Sequence, residues 1–181
     1  YFYERWFSMK IKVGSKIEDI ELSTADGNIF KTSSLKNKRY LLTFYRFASC
    51  PLCNLRINEF VKRYDEFGEN FSMVGIFHSS TKNLNHFTSH HKAPFILLAD
   101  EDYKYFKKYE VERSFFRFFI SQVTLGPKIF FAMFKGFIPY RIKGHIEILP
   151  VDILVNETGV VEKVKYGKDI GDHLSFDEIK N

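Results

Sequence analysis

The feature that most constrains this chain of 181 residues is a Cys-x-x-Cys motif that contains its only two cysteines. Cys50 is followed directly by Pro51, and Cys53 completes the motif. A β-rich apolar run, 39–47, precedes the motif, and a helical pattern of apolar residues, 54–67, follows it. A Cys-x-x-Cys at a strand-to-helix junction is typical of a dithiol redox centre. The predictions of the fold and of the chemistry of the chain therefore both depend on this motif.

Two other interpretations of the cysteine pair stay open. The pair is half of a zinc site if His86 and His90, which have the internal spacing of zinc ligands, supply the other half. The 32 residues between the two pairs exceed the roughly twelve of a zinc finger, however. In the second alternative, the two cysteines are a buried pair without chemical function. A disulfide across so short a loop stabilises little, so a reactive pair in a reducing compartment, the cytoplasm, is expected.

Pro51 predicts where the helix begins, because its fixed φ suits the first helical position. Cys50 then lies at the N-terminus, where unpaired N–H groups and the helix dipole lower a thiol pKa from about 8.5 to roughly 3.5–7.5. Cys53, almost one turn later, is expected to be more enclosed and to keep its proton longer. We therefore predict that Cys50 attacks, that Cys53 resolves the product into a Cys50–Cys53 disulfide, and that an external reductant reopens it.

Two residues near the motif are candidates for supporting roles. Arg46 lies four residues before Cys50, so its guanidinium approaches the thiolate if the strand ends near residue 47. A solvent-exposed arginine at the strand end is an equal alternative. Ser49 is predicted either to cap the helix or to donate a hydrogen bond to sulfur.

Later residues add a third supporting candidate. Pro150 precedes an apolar strand, where a cis bond would be a specific feature of the fold and an ordinary trans proline is the alternative. Asp152 is a proton acceptor for Cys53 if it is buried, although a solvated carboxylate on an edge strand is favoured. The remaining histidines show no catalytic spacing with the cysteines and are interpreted as loop or surface residues: His78, His90, His91, His145 and His173.

Strand and helix patterns alternate along the chain, which predicts the α/β class. An Asp-Gly turn at 26–27 joins the first two strands into a hairpin. A single domain, 1–181, is expected, with residues 1–8 as a non-native or flexible leader. The predicted strands are 17–24, 28–31, 40–45, 71–77, 95–98, 151–155 and 160–166, and the predicted helices are 54–67, 81–91, 102–109 and 176–180.

Composition narrows the function classes. The net charge of +5 is carried by scattered lysines without a dense basic run, so nucleic-acid binding is not expected. The longest dense apolar run, 129–134, has six residues and is far too short to span a membrane. Neither a cofactor nor a bound metal is expected.

An aromatic-rich segment, 112–145, is the least typical part of the chain. Two short helices, or one broken at Gly126-Pro127, are predicted there. The favoured interpretation is a helical insertion that packs over the sheet and roofs the dithiol. The alternatives are a homodimer contact and, least favoured, association with a membrane. The segment 114–141 also motivates a different function: a binding module that uses this aromatic and basic segment to dock a partner.

The residues around the motif, Phe44-Tyr45-Arg46 followed by Cys50-Pro51 and Cys53-Asn54-Leu55, resemble the peroxiredoxin-like branch of the alkyl hydroperoxide reductase/thiol-specific antioxidant (AhpC/TSA) family in the thioredoxin superfamily. The likeness covers roughly 13–179 and is weakest through 112–145. It includes the N-terminal hairpin, the Leu149-Pro150 loop and the closing segment 166–173.

This resemblance implies a thioredoxin-like fold: a central mixed β-sheet flanked by helices, an N-terminal β-hairpin, and the aromatic-rich helical insertion before a cis-proline loop at Pro150. It also implies antioxidant peroxide reduction or disulfide exchange. The partners implied are a peroxide or disulfide substrate and an external thiol reductant of the thioredoxin or glutathione type.

The family spacing gives a second assignment of the cysteines. Typical members carry Pro-x-x-x-Thr/Ser-x-x-Cys after the Phe-Tyr pair. Counted without gaps from Phe44, the proline falls on Arg46, the threonine on Cys50 and the peroxide-reactive cysteine on Cys53. The family spacing therefore favours Cys53 as the attacking thiol, whereas the position at the helix N-terminus favours Cys50. We expect Cys50 to be the attacking thiol.

Overall fold

Seven strands pair side by side as one mixed sheet in the computed structural model, which describes residues 10–181. The strand order is β2-β1-β5-β4-β3-β6-β7, and β3, β4 and β5 are parallel to one another while the other pairs are antiparallel. The strands are β1 (Glu21–Thr24), β2 (Ile29–Lys31), β3 (Arg39–Phe44), β4 (Phe71–Phe77), β5 (Ile96–Ala99), β6 (Val151–Val155) and β7 (Val161–Tyr166).

Helices cover both faces of this sheet. The predicted helix after the cysteines begins at Pro51 and continues as a 3₁₀ turn at Tyr64–Phe67. Within residues 10–181, no helix is long and apolar enough to cross a membrane. The helices are α1 (Pro51–Arg63), α2 (Thr81–Thr88), α3 (Lys104–Lys108), α4 (Phe115–Thr124), α5 (Gly126–Phe134) and α6 (Phe176–Lys180).

The central strand β3 is apolar on both faces because a core lies on each side of the sheet. Leu41 belongs to the cluster that includes both cysteines and Phe60 of α1. Leu42 belongs to the opposite cluster, with Phe106 of α3. Burying each such side chain contributes about 1.5–3 kcal/mol. The two clusters fix β3, and with it the start of the loop to α1.

The aromatic-rich segment forms two helices, α4 and α5, which meet at the Gly126-Pro127 break. Only one side of this hairpin packs on the dithiol-containing core: Ser121 and Ala132 are buried, and Phe118, Leu125 and Ile129 are partly buried against that core. The predicted helical insertion is therefore confirmed, and its inner side packs on the core that contains the dithiol. Most of its aromatic residues do not join that core, because the outward sides of both helices meet no other part of the described chain.

The predicted cis-proline is wrong. Residues 10–181 contain no cis peptide bond, so the bond from Leu149 to Pro150 is trans. The backbone on both sides is already paired in an extended arrangement: Leu149 N–H donates to the Glu112 carbonyl, and the Pro150 carbonyl accepts from Gly167 N–H. An ordinary trans bond, which is favoured by about 0.5–1 kcal/mol, satisfies these contacts. The predicted leader, 1–8, lies outside the described residues.

Candidate active site

Cys50 is the N-cap of α1, and Pro51 occupies the first helical position. The Cys50 Sγ accepts a hydrogen bond of 3.2 Å from the backbone N–H of Cys53, which has no partner inside the helix. The two cysteines form a disulfide, with their Cα atoms 5.3 Å apart. The predicted helix start is thus confirmed, and the capping function predicted for Ser49 is carried out by Cys50 itself.

Arg46 lies beneath the dithiol instead of in solvent, so the exposed alternative is wrong. Its side chain is buried, and Nη2 donates to Cys50 Sγ at 3.0 Å while Nη1 donates to the Ile146 carbonyl at 3.3 Å. Burial lowers the pKa of Arg46 to about 10, which still leaves the guanidinium charged at neutral pH. A buried cation is therefore held against the Cys50 sulfur.

The expected difference in exposure between the cysteines is not found. Cys50 is 0% exposed and Cys53 is 3% exposed. The reason is that the 146–149 segment and the inner side of the α4–α5 hairpin pack against the core cluster that contains both cysteines. The sulfurs differ in hydrogen bonding instead: Cys50 Sγ accepts two hydrogen bonds, whereas Cys53 Sγ accepts none from residues 10–181.

Asn54 fixes the loop that carries Cys50. Its Nδ2 donates to the carbonyls of Ala48, at 2.7 Å, and Cys50, at 2.9 Å. Since both amide protons are thereby used, Asn54 Oδ1 must accept from His91 Nε2, which lies 2.9 Å away. The sequence motif itself gave no indication of this buried network, because His91 is 37 residues away along the chain.

Asn54→Ala is expected to lower the free energy of unfolding by about 2–3 kcal/mol, because it leaves the buried Ala48 carbonyl and His91 Nε2 without partners. The Cys50 carbonyl loses one of its two donors and keeps the backbone N–H of residue 54. Urea unfolding of the reduced protein measures this change. Asn85→Ala, at an exposed position of α2, is the control and should change the value by less than about 0.5 kcal/mol. Equal effects of the two substitutions would contradict the conclusion that the side chain of Asn54 fixes the loop that carries Cys50.

His91 predicts a pH dependence of stability. Burial, with the charge of His90, lowers the pKa of His91 to about 4, whereas an unfolded histidine titrates near 6.5. The unfolded chain therefore binds a proton first, and stability falls as pH falls from about 6.5 to 4. His91→Gln, which preserves a donor toward Asn54, should remove about 2 kcal/mol of the loss between pH 7.5 and 5. Urea unfolding at both pH values measures it, and exposed His86→Gln should behave as the wild type.

A cavity of about 280 Å³ opens beside the motif. Ser49 and Asn54, on either side of the Cys-x-x-Cys, form part of its wall, and Lys135, Phe137 and Tyr140 from the end of the hairpin form another part. The buried Ser49 Oγ has no hydrogen-bond partner among residues 10–181. The cavity is large enough for a small polar substrate, and its wall contains the neighbours of the two cysteines but neither cysteine itself.

Asp152 is buried in β6 between β3 and β7, so the solvated edge carboxylate is wrong. Burial by itself raises the pKa of Asp152, but the charge and hydrogen bond of His173, with the N–H of Leu174, hold it below its ordinary value. The distance from Asp152 Oδ1 to His173 Nδ1 is 3.1 Å. The partners found for Asp152 do not include Cys53, and its role as proton acceptor stays a prediction.

The five histidines predicted as loop or surface residues do lie in loops or a 3₁₀ turn, but they are not all at the surface. His91 is buried and His173 is nearly so, while burial lowers the pKa of half-buried His78 to about 4. The histidines of the zinc alternative contact aromatic residues instead of the cysteines: His86 Nε2 lies 2.8 Å from Tyr140 Oη, and His90 lies against Phe137. Within residues 10–181, no group of three or more potential ligands is arranged to hold a metal ion.

The comparisons with known proteins agree with this architecture. The model of the AhpC/TSA family matches residues 13–164. Peroxiredoxin Bcp of Bacillus subtilis strain 168 is 30% identical over 104 residues, which are 57% of this chain and just under two thirds (66%) of that protein. The putative peroxiredoxin bcp of Helicobacter pylori strain J99 is 26% identical over 158 residues, 87% of this chain and 89% of that protein.

Solved structures show the same fold. Peroxidoxin BcpB from Mycobacterium tuberculosis has a TM-score of 0.65 at 19% identity, over 89% of this chain and 90% of that chain. A peroxiredoxin-like protein from Aquifex aeolicus has a TM-score of 0.67 at 14% identity, over 94% and 85%. The fold is thus the thioredoxin-like fold of the peroxiredoxins, and the site within it is a Cys-x-x-Cys redox centre.

The chain belongs to the AhpC/TSA family. It is a peroxiredoxin-like, thiol-dependent oxidoreductase with its redox dithiol at the carboxyl end of β3.

Proposed function

We propose that this protein reduces peroxides with Cys50 as the attacking thiol and Cys53 as the resolving thiol, with Arg46, Ser49 and Pro150 as supporting residues. The observation that carries the proposal is the environment of Cys50 Sγ: a buried guanidinium at 3.0 Å and a helix N-terminal N–H at 3.2 Å. In the disulfide these donors meet a neutral sulfur. On reduction, the same donors face a thiolate, which they stabilise far more strongly.

The catalytic cycle has three steps. The Cys50 thiolate attacks the nearer peroxide oxygen, the O–O bond breaks, and the other oxygen leaves as water or an alcohol after it takes up a proton. Cys50 is thereby oxidised to a sulfenic acid. The Cys53 thiol then attacks the Cys50 sulfur, water leaves, and the Cys50–Cys53 disulfide forms. An external thiol reductant returns both cysteines to thiols and is itself oxidised to a disulfide.

Two of the supporting residues act on the first step, and the third holds the backbone that carries the motif. Arg46 stabilises the thiolate and the negative charge that develops on the leaving oxygen. Ser49 belongs to the cavity wall and its buried hydroxyl has no partner among residues 10–181, so we propose that it donates to a peroxide bound there. Pro150 lies directly before Val151, which pairs with Phe44 at the end of β3, so it helps to hold the strand end that carries the motif.

Disulfide exchange with protein substrates is the second candidate function. It is favoured by the Cys-x-x-Cys spacing and by the bond between the two cysteines across one helical turn, since an N-capping cysteine also attacks disulfides. The thiol reductant of the peroxidase cycle would be of the thioredoxin or glutathione type. A cytoplasmic location is proposed because that compartment keeps such a dithiol reduced.

One experiment separates the two functions. The fully reduced protein is mixed with hydrogen peroxide, quenched with an alkylating reagent and analysed by mass spectrometry. Peroxide reduction predicts second-order formation of the disulfide, much faster than the oxidation of free cysteine. Oxidation no faster than that of free cysteine, together with rapid reduction of insulin disulfides, would instead establish exchange and contradict the peroxidase.

A further inference from the structure

The outward side of the α4–α5 hairpin is a large apolar surface without a protein partner in residues 10–181. Phe116, Val123 and Phe134 are 75%, 82% and 83% exposed. The inner side of the same helices is packed on the dithiol-containing core, so the hairpin is a fixed part of the fold. The other strongly exposed apolar residues of this surface are Phe115, Phe119, Ile120, Phe130 and Phe131, and the loop that follows adds Ile138, Tyr140 and Ile142. Clusters of exposed large apolar residues mark sites of interaction.

The charge of the same segment identifies the partner. Residues 112–145 contain six basic side chains and one acidic side chain, Glu112, so their net charge of +5 equals that of the whole chain and the remaining residues balance to zero. Lys128, Lys135, Arg141 and Lys143 form no ion pair with any described residue. The chain's excess positive charge is therefore concentrated in the segment that exposes its aromatic residues.

A basic cleft adjoins this surface. Arg141 and Lys143, from the loop after the hairpin, line a cleft of about 720 Å³ together with Lys82 of α2. The other residues of the cleft are serine, asparagine and histidine, and none is acidic: Ser80, Asn83, Asn85, His86 and Ser89. Such a cleft suits a phosphate-bearing headgroup, and the exposed Ile138, Tyr140 and Ile142 lie in the same loop.

We propose that the α4–α5 hairpin and the following loop, residues 115–143, dock this protein on an anionic membrane surface. The aromatic residues would enter the interface while the basic side chains meet lipid phosphates. Helices of 10 and 9 residues are too short to span a bilayer, so the hairpin lies on the membrane. A second copy of the chain fits less well, because a two-fold contact would place the same +5 segment against itself.

Docking would bring the redox site to the membrane. Lys135 and Phe137 belong to the docking segment and also line the cavity beside Ser49 and Asn54. The proposed docking concerns a surface and does not depend on the attacking role of Cys50. The experiments on the dithiol and on vesicle binding therefore test the two proposals independently.

The test is sedimentation of the full chain with lipid vesicles of two compositions: pure phosphatidylcholine, and phosphatidylcholine with 30 mol% phosphatidylglycerol. We expect binding to the anionic vesicles that weakens at high salt and at least tenfold weaker binding to the neutral ones. Lys128→Gln with Lys135→Gln should weaken binding roughly 25-fold, and Phe116→Ser with Phe134→Ser at least tenfold. All four positions are exposed, and circular dichroism checks that the variants fold.

Matched controls use similar residues elsewhere on the surface. Ile29→Ser, at an apolar residue that is 63% exposed in β2, and Lys36→Gln with Lys38→Gln should bind as the wild type does. Absence of binding to the anionic vesicles would overturn the proposal, as would equal losses in the hairpin variants and the controls. A dimer in sedimentation velocity without lipid that Phe116→Ser with Phe134→Ser converts to a monomer would assign the surface to a second copy and overturn it as well.

Discussion

Cys50→Ser is expected to lower the second-order rate of oxidation by hydrogen peroxide by at least about a thousandfold, because a serine hydroxyl is not ionised at neutral pH and cannot replace the thiolate. The remaining Cys53 has no hydrogen-bond donor at its sulfur among the described residues, so it should not substitute for Cys50. Stopped-flow mixing of the reduced variant with peroxide, followed by mass spectrometry, measures the rate.

Cys53→Ser is the matched variant. It should react with the first equivalent of peroxide at close to the wild-type rate and accumulate a sulfenic acid on Cys50, which dimedone labels, but it should lose turnover with a dithiol reductant. The reverse pattern, with fast oxidation of Cys50→Ser and none of Cys53→Ser, would contradict the assignment. It would instead support the family spacing, which places the peroxide-reactive cysteine at position 53.

Arg46→Met is expected to lower the same rate by about 10²–10³-fold, the loss typical of removing one preorganised donor from a developing negative charge. The physical reason is the 3.0 Å contact from Nη2 to Cys50 Sγ in a site that excludes water. Methionine keeps most of the buried apolar volume, so the change removes the charge and the donors.

Two variants test whether Arg46 acts through its guanidinium. Arg46→Lys keeps a cation and should recover part of the rate, whereas a merely structural arginine would give the same loss with both substitutions. Arg63→Met is the control. Arg63 lies at the end of α1, the helix that begins at the motif, but it pairs with Glu66 at the surface and not with a cysteine. A wild-type rate in Arg46→Met would contradict the role proposed for this residue.

Much of the fold follows from local sequence signals. The strand runs 40–45 and 71–77 are buried on both faces, as their largely apolar patterns predict. Pro51 fixes the start of α1, and thereby the cap position of Cys50, through its own backbone geometry. These predictions succeed because each depends on residues within a few positions of one another.

The polar contacts of the site could not be predicted, because they join residues that are distant along the chain. Asn54 reaches His91 across 37 positions, and Asp152 reaches His173 across 21. Nothing in the residue types distinguishes these histidines from exposed ones. The burial of Cys50 was missed for the same reason, since the elements that cover it come from 118–149.

In the aromatic-rich segment, the hydrophobicity of the residues does not predict which of them are buried. Phenylalanine is usually buried, so the sequence favoured packing over the sheet. Each helix of the hairpin is apolar around most of its circumference, however, and the dithiol-containing core covers only one side: Ser121 and Ala132 are buried while Phe116 and Phe134 are exposed. The charge of 112–145 does not stand out as a basic run, because its six basic residues are separated by apolar ones.

The most direct test of the account is a thiolate titration of each cysteine by absorbance at 240 nm, in the reduced Cys53→Ser and Cys50→Ser variants. We expect the Cys50 pKa, measured in Cys53→Ser, to lie below about 7.5 and the Cys53 pKa, measured in Cys50→Ser, to stay near or above about 8.5. Adding Arg46→Met to Cys53→Ser should raise the Cys50 pKa. A Cys50 pKa near 8.5 together with a depressed Cys53 pKa would contradict the central claim that Cys50 is the nucleophile.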